Sequence, residues 1–354
     1  MDQAEQMSFG SSPGERADAL LGELGYAGWR KGQREAVIAA LEGRDSLIVM
    51  PTGGGKSLCY QLPGLASEDL TIVVSPLIAL MRDQWLRLTQ AGHPVAMVSS
   101  AMDEGDTWEA LESVRDGRAK IVYCAPERFA SRVFLDAIGQ RKVDLLAVDE
   151  AHCVSEWGHD FRPDYLRLPQ IAERLGRPTV MACTATATVP VAVEIAQRFG
   201  MREPLRVRAG FDRPNLSFDV IALEGKGSKA RRQALLETGL ADPANRPAIV
   251  YCGTRKDTDE VAEELRSTGL RALAYHAGME GEQRSTVQRR FMSGGEDAVD
   301  VVVATNAFGM GVDKADVRSV WHMAIPTSVE AYYQEAGRGG RDGAPARAVM
   351  LAMK

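Results

Sequence analysis

The chain has no apolar run long enough to cross a membrane, and its start carries Asp2 and Glu5 where a secreted protein would carry a basic-then-apolar leader. Neither membrane insertion nor secretion is expected. Cysteine is sparse and unpaired: Cys59, Cys124, Cys153, Cys183 and Cys252 lie singly beside apolar runs, with no C-x-x-C among them. That pattern argues for reduced thiols in a cytoplasmic setting, and against a disulfide framework or a structural zinc site. A basic excess is missing as well, since 42 Lys and Arg against 48 Asp and Glu give a net charge of −6. This argues against a simple basic nucleic-acid binder, although a groove can be locally basic on an acidic protein. What remains is ordinary globular composition over 354 residues, too long for one small core, so two domains are expected.

The stretch organising the rest is Ser46 to Ser57, Ser-Leu-Ile-Val-Met-Pro-Thr-Gly-Gly-Gly-Lys-Ser. Leu47 to Met50 reads as a short buried strand, Pro51 and the glycines break it, and a helix starts at Lys56. Strand, glycine loop and helix N-terminus make an anion cradle in which backbone N–H groups, the helix dipole and the Lys56 ammonium converge on phosphates. Thr52, Gly53, Gly54, Gly55 and Lys56 are thus the expected phosphate site for ATP, with the Ser57 hydroxyl a Mg²⁺ ligand.

Residues 1–14 read as a flexible lead-in, and 16–24 has helical spacing. Gln33, just upstream of the loop, offers the donor and acceptor that an adenine edge requires, with Tyr26 or Arg30 placed to stack on the base. After the loop, strands and helices alternate, which predicts a parallel sheet covered on both faces. The strand at 143–148 delivers Asp149 and Glu150 at its C-terminal end, where ligands of open α/β sheets sit. Asp149 suits Mg²⁺ held through water, and Glu150 suits activation of the attacking water. Thr184 and Thr186 are expected to hydrogen-bond that acidic pair. Between them, Gly158 and Pro163 keep Trp157 and Phe161 on a loop beside His159 and Arg162, an arrangement suited either to stacking on unpaired bases or to a small satellite core.

Residues 205–216 read as a hinge, so the predicted domains are 15–208 and 209–354. The alternation restarts beyond the hinge without a second phosphate loop. The second domain instead offers Arg338 and Arg341 beside glycines, as expected of guanidinium groups that reach a phosphate held by the first domain. The predicted fold is α/β: two tandem RecA-like domains, each a mostly parallel sheet with helices on both faces.

This ordered set resembles a superfamily 2 helicase, and Pro51 to Ser57 matches the helicase variant of the phosphate loop. Residues 29–33, 75–84, 147–163, 211–215, 275–278, 307–311 and 332–343 narrow the resemblance to the RecQ family. The resemblance implies an ATP- and Mg²⁺-dependent 3′–5′ DNA helicase acting on single-stranded and forked DNA, in repair or recombination, alongside chromosomal DNA. It places Tyr26, Arg30, Gln33, His152 and Asp313 at the nucleotide. It places Ser75, Gln84, Arg128, Trp157, His159, Phe161, Arg162, Arg255 and Thr305 at the DNA. RecQ proteins usually continue into zinc and winged-helix modules beyond the motor, and this sequence stops at Lys354. A nucleic-acid-stimulated ATPase with little unwinding, and an RNA-directed helicase of the Asp-Glu-Ala-His type, are the rival readings.

Overall fold

A computed structural model describes residues 12–51, 53–155, 162–210, 212–295, 297–308 and 314–353. The chain divides into two compact units, Met1–Phe211 and Asp212–Lys354.

The first unit opens with α1 (Pro13–Glu23) and α2 (Gln33–Leu41), followed by β1 (Ser46–Val49), α3 (Lys56–Ala66), β2 (Leu70–Val74), α4 (Ile78–Gln90), β3 (Val95–Val98) and α5 (Glu104–Arg115). Then come β4 (Ile121–Cys124), α6 (Arg132–Gly139), β5 (Val143–Val148), α7 (Leu168–Arg174), β6 (Thr179–Thr184), α8 (Val189–Arg198) and β7 (Leu205–Arg208). The strands form one parallel sheet in the order β3-β4-β2-β5-β6-β1-β7. Alternate residues of each strand feed two cores. Leu47 and Val49 join the cluster with residues of α5 to α8, while Ile48 and Met50 join the cluster with residues of α2, α3 and α4. Each fully buried Val, Leu or Ile side chain contributes about 1.5–3 kcal/mol.

Helix α1 begins at Pro13, earlier than its apolar spacing indicated, because Ser12 and Glu15 form a capping box. The segment read as a hinge is shortened at its front: Leu205–Arg208 is an edge strand paired in parallel with β1. Its one fully buried side chain, Val207, packs in the cluster that holds Ile48 and Met50, with Leu205 half-buried against the same cluster.

The second unit contains β8 (Leu216–Leu223), α9 (Ser228–Ala241), β9 (Ala248–Tyr251), α10 (Arg255–Ser267), β10 (Ala272–Tyr275) and α11 (Gly281–Met292). It continues with β11 (Val301–Ala304), β12 (Ser319–His322), α12 (Val329–Ala336) and β13 (Ala346–Met353). Its sheet is also parallel, in the order β10-β11-β9-β12-β13-β8. Val250 of β9 faces the cluster containing residues of α9 and α10, whereas Ile249 and Tyr251 face the cluster with α11 and Phe308.

Candidate nucleotide and nucleic-acid site

In the first sheet β6 lies between β1 and β5, so the turns after these three strands share one C-terminal rim. The phosphate loop follows β1, and Lys56 opens α3 with Gly55 as its left-handed N-cap. A Cβ on Gly54 would lie 2.8 Å from the Pro51 carbonyl oxygen, and one on Gly55, at φ +83°, would lie 2.3 Å from Gln33 Nε2. Side chains at these positions would fill the cradle, so the loop is shaped for backbone contact with a ligand. Lys56 Nζ donates to the Met50 and Pro51 carbonyls at 3.1 and 3.4 Å, which turns its charge back over the loop.

Gln33 is buried and tied to the same loop: Nε2 donates to Gly55 O at 3.0 Å, and Oε1 accepts from Arg30 N at 2.8 Å. The amide keeps one further donor hydrogen and one acceptor lone pair, the pair an adenine edge needs. Arg30 donates to the Gly53 carbonyl, and Tyr26 is 53% exposed. Thr52 lies outside the described residues.

Asp149 is buried after β5, and its Oδ1 accepts from Glu150 N at 3.1 Å. Burial, then the neighbouring Glu150 carboxylate, push the Asp149 carboxyl up to about 7, with the Lys56 ammonium pulling the other way. Glu150 adopts a left-handed backbone, φ 48°, ψ 45°, and its buried Oε2 accepts no hydrogen bond, lying 3.4 Å from His152 Nδ1. Hard oxygens from Ser57, Asp149 and Glu150, among them the unpaired Glu150 Oε2, fit a Mg²⁺-bearing phosphate ligand.

The expectation for the threonines is corrected. Thr184 Oγ1 gives its proton to Thr186 O at 3.1 Å and accepts from Thr186 N at 3.2 Å, so the contact it makes with His152 Nδ1 at 2.9 Å is one in which the imidazole donates. The hydroxyl orients the histidine, and the histidine faces Glu150. A single hydroxyl proton cannot serve both its own turn and a carboxylate.

The other half of the rim carries the residues expected at nucleic acid. Ser75 follows β2, buried and with its hydroxyl unpaired; Arg128, half-buried, follows β4. Gln84 on α4 accepts at Oε1 from Tyr60 OH at 2.9 Å, which leaves its NH₂ group for a ligand. Arg162 donates through its backbone to Cys153 O and through its guanidinium to Pro76 O, at 3.0 and 3.4 Å. Trp157, His159 and Phe161 lie outside the described residues, as does Asp313.

In the second unit Arg255 follows β9 and is exposed, and Thr305 follows the adjacent β11. A Cβ at Gly278 would crowd Arg255 Nη1 at 3.0 Å, so the guanidinium lies directly over that backbone. Arg338 is buried at 5% exposure beside Tyr251, whose hydroxyl is pushed up to about 12 by burial against the pull of that guanidinium. Arg341 is half-buried. Sequence reasoning missed Arg213: its guanidinium donates to the Gly337, Gly339 and Gly340 carbonyls at 3.1, 2.7 and 2.9 Å.

Two parallel-sheet α/β units in tandem, one with a phosphate loop and an acidic strand end, define the RecA-like helicase core. Comparison with known proteins agrees. The family "DEAD/DEAH box helicase" matches residues 30–195, and "Helicase conserved C-terminal domain" matches residues 230–343. In fold the chain is similar to the DUF1998 helicase MrfA bound to DNA, with a TM-score of 0.76 at 20% identity over 95% of this chain and 50% of that one. It is similar also to the DEAD-box helicase Mss116 bound to single-stranded RNA and UDP-BeF, with a TM-score of 0.76 at 18% identity, covering 99% of this chain and 74% of that one.

Over this core the chain belongs to the RecQ family. It is 41% identical to the ATP-dependent DNA helicase RecQ of Pasteurella multocida, over 94% of this chain and 51% of the relative. Identity to the RecQ of Bacillus subtilis is also 41%, over 95% of this chain and 56% of that protein. Identity to the probable ATP-dependent DNA helicase RecS of the same organism is 40%, over 93% and 65%. The chain thus spans about half to two thirds of the length of these relatives.

Proposed function

We propose that the chain is an ATP-driven 3′–5′ motor on single-stranded DNA that opens forked duplexes, acting on chromosomal DNA in repair or recombination. The observation that carries this reading is the convergence, on one sheet rim, of a phosphate cradle, an acidic pair whose Asp149 is buried, and a glutamine bonded to the cradle itself. The adjoining half of that rim, with Ser75, Arg128 and Arg162, supports the DNA assignment through contacts suited to a phosphate backbone.

In this mechanism Gln33 and Arg30 read the adenine, Tyr26 stacks on it, and the loop N–H groups with Lys56 hold the phosphates. Ser57 and Asp149 would hold Mg²⁺, which when bound offsets phosphate charge. Glu150, kept in place by its backbone bonds and facing His152, takes the proton of the attacking water. Arg341, the more accessible of the two arginines, supplies positive charge to the leaving phosphates, a contribution worth about 10³–10⁵ in rate. Arg338 packs against Tyr251 and supports that turn. Opening a base-pair step costs about 1.4 kcal/mol, a small load for a motor that moves a base at a time.

Lys56→Ala is expected to abolish hydrolysis while leaving binding of a labelled single strand within about twofold, because the lysine neutralises nucleotide and not DNA. Full DNA-stimulated turnover in that variant would end the motor reading. Stimulation by single-stranded RNA in place of DNA would move the assignment to an RNA-directed enzyme. A forked-duplex assay separates an unwinding motor from a stimulated ATPase.

A further inference from the structure

The segment that carries Arg338 and Arg341 is not a free loop. It leaves the C-terminal end of α12, turns through Gly337, Gly339 and Gly340, and returns to β13. Three of its carbonyls, those of Gly337, Gly339 and Gly340, point inward and converge on the Arg213 guanidinium. Arg213 Nη1 donates to Gly337 O at 3.1 Å, and Nη2 donates to Gly339 O at 2.7 Å and Gly340 O at 2.9 Å. Two residues on, Asn215 Nδ2 donates to Gly340 O at 2.7 Å and Ala344 O at 2.8 Å, and Asn215 O accepts from Ala346 N at 2.8 Å. Gly340 sits at φ +58°, and a Cβ there would lie 2.5 Å from Asn215 Nδ2. The turn and the two side chains are therefore fitted to each other at contact distance.

We infer that Arg213 and Asn215 are positioning residues that set where the arginine-bearing turn presents Arg341. The chemistry favours a guanidinium for this task. Its planar fork engages several carbonyls at fixed angles, whereas a lysine ammonium would satisfy charge without fixing direction. Displacing a reacting group by about 1 Å costs on the order of 10² in rate. A clamp of this kind therefore acts on turnover without touching nucleotide or DNA. The inference rests on the reading of Arg341 as the group that reaches the phosphates.

The test compares Arg213→Lys, Arg341→Ala and the double variant in single-strand-stimulated ATP hydrolysis. Analogue affinity, DNA affinity and thermal midpoint are measured alongside. Arg213→Lys is expected to lower kcat by about 10- to 100-fold while both affinities stay within about twofold and the midpoint holds. The double variant is expected to be no slower than Arg341→Ala alone, because a positioning residue has nothing left to position. Asn215→Asp, which turns a donor to two carbonyls into an acceptor of the same shape, serves as the second variant if Arg213→Lys lowers the midpoint. Wild-type kcat in both variants, or a loss that multiplies with that of Arg341→Ala, would overturn the inference. Full turnover in Arg341→Ala would instead remove the arginine reading, and the inference with it, a result distinct from failure of the clamp alone.

Discussion

Asp149 and Glu150 are neighbours in sequence, yet the fold treats them differently. Asp149 ends a buried strand and shares the rim with Lys56. Glu150 is held in the left-handed region, a conformation that costs a non-glycine residue about 1–3 kcal/mol. Its carbonyl oxygen accepts from Cys153 N at 2.9 Å, and Asp149 O accepts from Tyr165 OH at 2.9 Å, so the local strain is offset by the packing around it. The raised Asp149 carboxyl has a consequence for stability. Between the ordinary carboxylate range and about pH 7 the folded chain holds a proton that the unfolded chain has released. Metal-free stability is therefore expected to decline as pH rises through that window, and Asp149→Asn to flatten the slope. Denaturant melts at about pH 5 and about pH 8 read this directly. Equal pH slopes in the two proteins would contradict it.

At the scale of elements, the phosphate loop, the parallel alternation and the acidic strand end were legible because each is a local pattern: a glycine break after an apolar run, or charge at a strand's end. Strand β5 stands where the sequence pattern put it, at Val143–Val148. Strand β7 did not read as a strand because Leu-Arg-Val-Arg is only four residues with one of them fully buried, and its pairing partner β1 lies far back in the chain. Arg213, although inside the 211–215 stretch that resembles the family, received no role for the same reason. An arginine between an aspartate and a proline looks like surface charge, and its carbonyl partners stand 124 to 127 residues further along. The value of β7 can be measured. Val207→Ala is expected to destabilise the first unit by about 1–2 kcal/mol, seen as a lower urea midpoint. No change would mean the strand is held by backbone bonds alone.

Across the whole molecule, the cysteines tell how closed the two cores are. All five are buried, and desolvation pushes the Cys59 and Cys252 thiols up to about 12. At pH 8 the reactive thiolate of such a group is only about one part in 10⁴. A disulfide reagent is therefore expected to leave the native protein almost unlabelled and to label all five thiols once it is unfolded. Rapid native labelling would show that one core opens readily. Charge at this scale misleads: a net −6 says nothing of Arg128, just beyond β4 in the first unit, or of Arg255, just beyond β9 in the second.

The chain leaves its first unit beside the cradle it has just built. Ala209 N donates to Val49 O at 3.1 Å, on the last residue of the strand that runs into the glycine loop. The entry to the glycine loop and the exit from the first unit therefore share one backbone hydrogen bond, so a shift of Val49 and a shift of Ala209 are coupled at that contact.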